Sequence, residues 1–164
     1  MCGIVGYKPR KEIDLITLKE LLYNSKIRGL HAFGISYYDN DGKLCVYKTL
    51  HFDEIIKEID HNKTVSWKNG FIFHSRYSTS GDFHNHNNNM PLMESSIANA
   101  VSIVLNGVIS MKTVLEYEKQ FEITCFTQND AEIFLKLLQK DALNKLDCTE
   151  SSIAAIWLKN RTLS

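Results

Sequence analysis

A cysteine stands directly behind the initiator methionine of this chain, in the sequence Met1-Cys2-Gly3. Removal of Met1 would leave a thiol and a free α-amine on one residue, and at neutral pH much of such an amine can accept a proton. This combination is typical of enzymes whose nucleophile carries its own base. Cysteine is also a common buried and inert residue. The first residues alone therefore leave open whether Cys2 is a nucleophile or only a structural residue.

A second group that could do chemistry follows the apolar segment 70–74. Arg76 comes almost directly after it, and the chain continues through hydroxyl residues to Gly81. A loop at the end of a buried strand is a common place for a scaffold to present a binding group. The simpler interpretation is an arginine that only solvates the end of the strand.

A third candidate is the dipeptide Asn106-Gly107, which follows the β-branched segment 101–105. Asn-Gly is the strongest short signal for a hairpin turn. The same dipeptide also offers an amide side chain beside an unencumbered backbone N–H, which is what a developing oxyanion needs. Both interpretations remain open at this point.

Asp130 lies where the segment 127–132 opens a helix whose apolar residues span 133–138. A carboxylate is favourable at a helix N-terminus, both as a cap and through the helix dipole. Capping is therefore a sufficient explanation of Asp130, and a ligand-binding role is the alternative.

The polar stretch 82–89 is rich in histidine and asparagine. A zinc site at His84 and His86 is conceivable, but no third ligand stands at a suitable spacing. Stretches of this composition are ordinarily loops. We therefore expect no metal and no other cofactor.

Apolar periodicity predicts an α+β fold. The sequence Asp39-Asn40-Asp41-Gly42 has the composition of a hairpin turn between two strands, and 159–161 is expected to form another turn. The expected strands are 3–7, 35–38, 44–49, 70–74, 101–105 and 152–158, and the expected helices are 12–23, 52–59, 112–119 and the one that opens at 127–132.

The length, charge and cysteine content of the chain narrow the class of protein. A chain of 164 residues is expected to form a single domain, 1–164, with a genuine core. Lysine plus arginine and aspartate plus glutamate number 19 each, so the net charge gives no case for nucleic acid or membrane binding. No signal segment or bilayer-spanning run is evident. The four cysteines lack paired spacing, and a cytoplasmic protein with reduced thiols is expected.

Taken together, these segments resemble the glutaminase domain of class II glutamine amidotransferases, which use an N-terminal cysteine as nucleophile. The resemblance extends along nearly the whole chain in order and spacing. It rests on six segments: MCGIVGY, RGLHAFGI, HSRYSTSG, NNNMP, LNGVI and NDAEIFLKLL.

The resemblance implies a role for each candidate residue. Cys2 would attack the side-chain amide of L-glutamine after removal of Met1, and Asn106 with Gly107 would form the oxyanion hole. Arg76 would bind the α-carboxylate of glutamine, for which a planar guanidinium is well suited, and Asp130 would bind the α-ammonium. The remaining predicted contributors shape the pocket or support the substrate: Arg28, Gly29 and Thr79.

The same resemblance implies the fold and the partner. The family fold is a four-layer αββα sandwich of antiparallel sheets, of the N-terminal nucleophile (Ntn) hydrolase type. Family domains normally continue beyond the strand at 152–158 and are commonly fused to a synthase or transferase, so the chain is either a C-terminally shortened domain or a piece of a longer protein. Glutamate and ammonia would be the products, and a separate synthase or transferase subunit would accept the ammonia.

Four supporting positions depart from the family pattern: His31 stands for a common aspartate, and Ser80, Met90 and Leu105 stand for common histidines. They favour an alternative in which the chain is a non-catalytic module that binds glutamine or docks to a synthase. Another alternative is an amide hydrolase of the same fold with a different substrate. That enzyme would need Cys2 and Asn106 but neither Arg76 nor Asp130.

Overall fold

The computed structural model describes residues 2–8, 14–62, 69–78, 81–95, 100–109, 112–149, 151–160 and 162–164. Its elements follow one another as β1 (Gly3–Tyr7), α1 (Leu15–Lys26), β2 (Ala32–Tyr38), β3 (Leu44–Thr49), α2 (Phe52–His61), β4 (Phe71–Arg76), β5 (Leu92–Ser95), β6 (Ala100–Val108), α3 (Val114–Phe121), α4 (Ala131–Gln139), β7 (Ser152–Lys159) and β8 (Thr162–Leu163). No helix within the described ranges is long and apolar enough to cross a bilayer.

Two antiparallel sheets form the centre of the molecule. The first has the strand order β1-β4-β2-β3, and the second has the order β5-β6-β7-β8. In the first sheet β1 pairs with β4 so that Gly3 lies opposite Ser75. This register brings Cys2 beside the end of β4, where Arg76 lies.

Helices cover the outer face of each sheet. Leu18 and Leu22 of α1 and Ile55 of α2 belong to a core that includes Phe71 and Phe73 of β4. A second core joins the inner faces of both sheets to α4 and the start of α3. The layers are therefore helices, sheet, sheet and helices, which confirms the predicted α+β αββα sandwich.

Alternation along β4 decides which residues reach the middle of this sandwich. Successive side chains of a strand point to opposite faces. Phe71 and Phe73 face the α1–α2 layer, whereas Ile72 belongs to the core between the sheets. His74 and Arg76 share the face of Ile72, so Arg76 is buried between the sheets rather than solvated at a strand end.

Most elements lie within a few residues of their predicted positions. The first helix begins at Leu15, three residues later than expected, because Asp14 accepts a hydrogen bond from Thr17 N at 2.8 Å and caps the helix there. The strands β5 and β8 are not among the predicted elements. Both are short edge strands, and four or fewer residues give too little alternation to detect.

Candidate active site

Cys2 is held by contacts from both sheets. Its backbone nitrogen donates to Asn106 Oδ1 at 3.0 Å, and Tyr77 N–H donates to its Sγ at 3.4 Å. Arg28 Nε lies 3.4 Å from the Cys2 carbonyl oxygen and donates to it. These contacts place the thiol in a cavity of about 70 Å³ that Arg76, Gly107 and Asp130 also line. The structure thus brings most of the predicted site residues together.

Gly29 lies where two backbone segments approach closely. A Cβ at this position would lie 2.6 Å from Ser75 O and 2.6 Å from Tyr77 N, and both atoms are backbone. Only glycine fits such an approach without movement of β4. Gly29 therefore sets the position of the strand end that carries Arg76 and Tyr77.

Asn106 and Gly107 lie inside β6 and not in a turn, so the hairpin interpretation is wrong. Gly107 is paired with Ile153 of β7, and the ladder continues to Val108. Its φ of 126° and the overlap that a Cβ would have with the Ser152 carbonyl explain the glycine. The long neighbouring strand β7 keeps the dipeptide extended, which local turn propensity alone could not show.

Arg76 is fixed by neutral oxygens. Its Nη1 donates to Asn88 O at 2.8 Å and to Asn89 Oδ1 at 2.5 Å, and its Nη2 donates to Gly81 O at 3.4 Å. Burial lowers the pKa of the guanidinium, and Cys2 and Asp82 act in the opposite direction. These oxygens orient the guanidinium without cancelling its charge.

Asn88 and Asn89 are functional residues that sequence reasoning missed. The stretch was correctly predicted as a loop, but the loop wraps around Arg76, and both asparagines are buried. Asn89 Nδ2 also donates to Phe83 O at 2.7 Å, and Asn88 Nδ2 donates to Asp82 O at 3.1 Å. The one signal in the sequence is the run of amides, since buried amides must find partners.

Asp130 occupies the N-cap position of α4, but its side chain makes no capping bond. Asn129 Oδ1 accepts instead from Ala131 N at 3.0 Å. The Asp130 carboxylate accepts a hydrogen bond from Ile109 N at 3.3 Å and faces the cavity. Burial raises its pKa, and the Ile109 N–H opposes this rise. Capping therefore does not explain Asp130.

His31 organises the segment after β4. Its ring stacks on Tyr77 with 5.1 Å between centroids and on Phe83 with 4.9 Å. Ser78 N donates to His31 Nδ1 at 2.8 Å. The histidine that departs from the family pattern thus supports Tyr77, whose N–H contacts the Cys2 thiol. Thr79 and Ser80 lie outside the described residues.

Two other departures line the cavity itself. Leu105 and Met90 form part of its wall, and Leu105 N donates to Met90 Sδ at 3.1 Å. An apolar side chain and a thioether thus stand where the resemblance implies histidines. The neighbouring His74 is fully buried, and neither of its ring nitrogens has a hydrogen-bond partner among the described residues. Burial and the nearby Arg76 lower its pKa to about 3.

The described residues contain no group of three potential metal ligands. His84 and His86 are both exposed. His86 opens a short 3-10 turn that ends at Asn88, so this part of the loop positions amides.

Solved structures share the fold of this chain. One is described as the allosteric regulatory enzyme of purine biosynthesis, with a TM-score of 0.73 and 21% identity over 97% of this chain and 35% of that one. Another is glutamine phosphoribosylpyrophosphate amidotransferase from B. subtilis, with a TM-score of 0.70 and 21% identity over 96% of this chain and 35% of that one. The fold is that of the Ntn hydrolases.

Curated relatives identify the class more closely. Glutamine–fructose-6-phosphate aminotransferase (isomerizing) of Bacillus licheniformis is 29% identical over 154 residues, which are 92% of this chain and 24% of the relative. The same enzyme of Staphylococcus epidermidis is 30% identical over 141 residues, 84% of this chain and 22% of the relative. No family model matches the chain. The curated relatives are glutamine-dependent aminotransferases and one of the similar solved structures is a glutamine amidotransferase, which confirms the resemblance. This chain spans about a quarter of the length of the curated relatives.

Proposed function

We propose that this protein hydrolyses the side-chain amide of L-glutamine to glutamate and ammonia, with Cys2 as nucleophile. The observation that carries the proposal is the contact of Cys2 N with Asn106 Oδ1, beside a cavity that Cys2, Arg76 and Asp130 line. In a chain that has lost Met1, this nitrogen is the α-amine. A thiol, an amine, an amide and two opposite charges then surround one small cavity.

The reaction would proceed through a thioester. The Cys2 sulfur would form a bond to the amide carbon of glutamine while the α-amine takes the thiol proton. The C–N bond would then break, and ammonia would leave with that proton. Water would next attack the thioester carbon, which releases glutamate and regenerates the thiol.

Asn106 and Gly107 would stabilise the oxyanion of both tetrahedral intermediates. Because Asn106 Oδ1 accepts from Cys2 N, the oxygen end of this amide is fixed, and its Nδ2 donor points away from that contact. Loss of one oxyanion-hole donor typically costs about 10²- to 10³-fold in rate. Asn106 would thus both orient the nucleophile and bind the oxyanion.

Arg76 and Asp130 would select an amino acid by its two charged groups. Arg76 would bind the α-carboxylate, and Asp130 would bind the α-ammonium. Arg28 and Gly29 would shape the wall beside Cys2 through their contacts with Cys2 O and with β4. Thr79 would support the substrate end of the pocket.

The chain would act as a single glutaminase domain, 1–164, whose ammonia is used elsewhere. Its sandwich uses elements from Gly3 to Leu163. We propose that the acceptor is a separate synthase or transferase subunit. A measurement of whether the protein co-purifies with such an enzyme in stoichiometric amounts tests this part.

The central test is glutamate release from glutamine by the protein after removal of Met1, verified by intact mass. We expect activity in the wild type and in Cys148→Ala, since Cys148 is exposed outside the cavity. Cys2→Ala should have none. Equal activity in Cys2→Ala and Cys148→Ala would contradict the proposal.

A second candidate function is a glutamine-binding module without turnover. Leu105 and Met90 in the cavity wall support it, because they remove two imidazoles that the resemblance implies near the reacting atoms. This candidate predicts that processed protein binds glutamine in calorimetry and releases no glutamate. Release that depends on Cys2 would exclude it.

A further inference from the structure

A second cavity of about 330 Å³ lies on the other side of the loop that holds Arg76. Small-molecule sites commonly start at about 300 Å³. Its walls come from β3, β5, α4 and two loops, and the residues that matter for its chemistry are Lys48, Asn87, Leu92, Phe126, Thr127 and Leu135.

Other charged groups at this cavity already have partners. The Glu132 carboxylate accepts a hydrogen bond from Phe126 N, at 2.9 Å from Oε1 and 3.0 Å from Oε2, and another from Thr127 N at 2.7 Å. Lys136 Nζ lies 2.9 Å from a carboxylate oxygen of Glu94. Lys136 and Glu94 therefore neutralise each other, and the backbone N–H groups fix the Glu132 carboxylate without cancelling its charge.

Lys48 differs from them. Its Nζ donates to the His86 carbonyl oxygen at 3.3 Å, and within the described part of the chain no carboxylate lies within ion-pair distance of it. Burial lowers its pKa to about 8. Lys48 is half-buried, and partial removal of an ammonium from water without a counter-charge is unfavourable, so an anion in the cavity would be stabilising.

Phe126 adds a second recognition element at the rim. Its side chain is 81% exposed, and Leu92 and Leu135 supply apolar surface deeper in the cavity. We propose that this cavity binds a small organic anion whose phosphate or carboxylate group contacts Lys48 and whose planar or apolar body lies against Phe126. The proposal does not depend on glutamine hydrolysis.

The location of this anion site gives it a connection to the Cys2 cavity. Asn87 and Thr127 line the second cavity, and their chain neighbours Asn88 and Gln128 line the first. Gln128 N donates to Asn88 Oδ1 at 3.2 Å and joins the two loops. A bound anion would therefore contact the outer side of the wall whose inner side holds Arg76.

The test is an NMR titration of the ¹⁵N-labelled protein with phenyl phosphate, inorganic phosphate and benzoate. We expect saturable shifts at Phe126 and Thr127 with phenyl phosphate and at least tenfold weaker binding of inorganic phosphate, which lacks the ring. The relative affinity of benzoate distinguishes a carboxylate from a phosphate ligand. Absence of binding by all three probes would overturn the proposal.

Variants identify the contacts. Lys48→Met should weaken phenyl phosphate binding at least tenfold, and Phe126→Ala should reduce it toward that of inorganic phosphate. Lys43→Met, an exposed lysine on the preceding turn, should bind as the wild type does. Equal affinity of the Lys48 and Lys43 variants would overturn the assignment.

A direct readout on the amine guards against an unfolded variant. Reductive ¹³C-methylation labels the lysine amines of the protein without a substitution in its sequence, and comparison with methylated Lys48→Met assigns the Lys48 signal. Saturation with the tightest probe should raise the pKa of Lys48 from about 8. An unchanged pKa with probe bound would contradict a contact with Lys48.

Discussion

Arg76 and Asp130 line the same cavity from opposite layers, but their surroundings differ. Arg76 ends β4 in the first sheet, and Asn88, Asn89 and Gly81 supply oxygens that fix it. The carboxylate of Asp130 accepts one backbone hydrogen bond, and burial raises its pKa. The protein therefore organises the cation in advance, and Asp130 lacks a cationic partner among the described residues.

Because of this difference, we expect substitutions at Arg76 and Asp130 to affect protein stability and ligand affinity differently. Removal of a group that the protein itself uses lowers stability and activity together. Removal of a group that only the ligand uses lowers affinity alone. In the proposed glutaminase, Arg76 is a group that the protein itself uses, and Asp130 is a group that mainly the ligand uses.

The largest effect is expected for Arg76→Lys. The ammonium of a lysine can keep at most one of the two hydrogen bonds, to Asn88 O and Asn89 Oδ1, in their present geometry, and loss of one bond to a charged group costs about 1.5–3 kcal/mol. We expect the free energy of unfolding to fall by about 2–3 kcal/mol and glutaminase activity to be nearly lost. Denaturant unfolding and glutamate release measure the two effects. Wild-type stability would show that the Arg76 network is not structural.

Asp130→Asn should reduce kcat/KM for glutamine by about 100-fold, mainly through KM, since truncation of a buried charge pair typically costs 2–5 kcal/mol. Stability should not fall, because the variant removes a carboxylate that burial disfavours. Steady-state kinetics and thermal unfolding are the measurements. Full activity in this variant would instead favour a different amide substrate.

Acidification should lower kcat/KM for glutamine as Asp130→Asn does. Because burial raises the pKa of Asp130 above 3.8, its protonation on acidification begins at a higher pH than for an ordinary aspartate. Binding of an ammonium needs the ionised form, so kcat/KM should fall as pH decreases through the raised pKa. The kinetic pH profile of Asp130→Asn should lack this step, and an identical profile would assign the titration to another group.

The smallest effect is expected for a substitution of Asn129, the residue before Asp130. Asn129→Ala removes the oxygen that accepts from Ala131 N and the Nδ2 group that donates to Asn88 O at 3.0 Å, and loss of the cap and of this bond together costs about 1–2 kcal/mol. Its free energy of unfolding should fall by that amount in denaturant titrations, while Asp130→Asn loses none. The reverse order would return the capping role to Asp130.

The elements were largely predictable because their signals are local. The hairpin of β2 and β3 follows from the turn at 39–42, and β6 follows from the β-branched run at 101–105. Part of the candidate site was predictable, because Cys2 follows the initiator methionine and because Arg76 and Asn106-Gly107 each follow an apolar segment that predicts a strand. The roles of Asn88, Asn89 and His31 could not be predicted, because each depends on a partner distant in the chain.

The order of the residues already supplies the reactive groups: a thiol next to a removable methionine, a cation after a buried strand and a carboxylate where a helix begins. Contacts between distant parts of the chain set how these groups are used. Pairing with β7 keeps Asn106-Gly107 extended, so the dipeptide faces Cys2 instead of forming a turn. Asn129 caps α4, so the carboxylate of Asp130 faces the cavity. Both outcomes depend on which neighbouring group supplies a hydrogen bond in the folded protein, and local sequence propensity does not give this information.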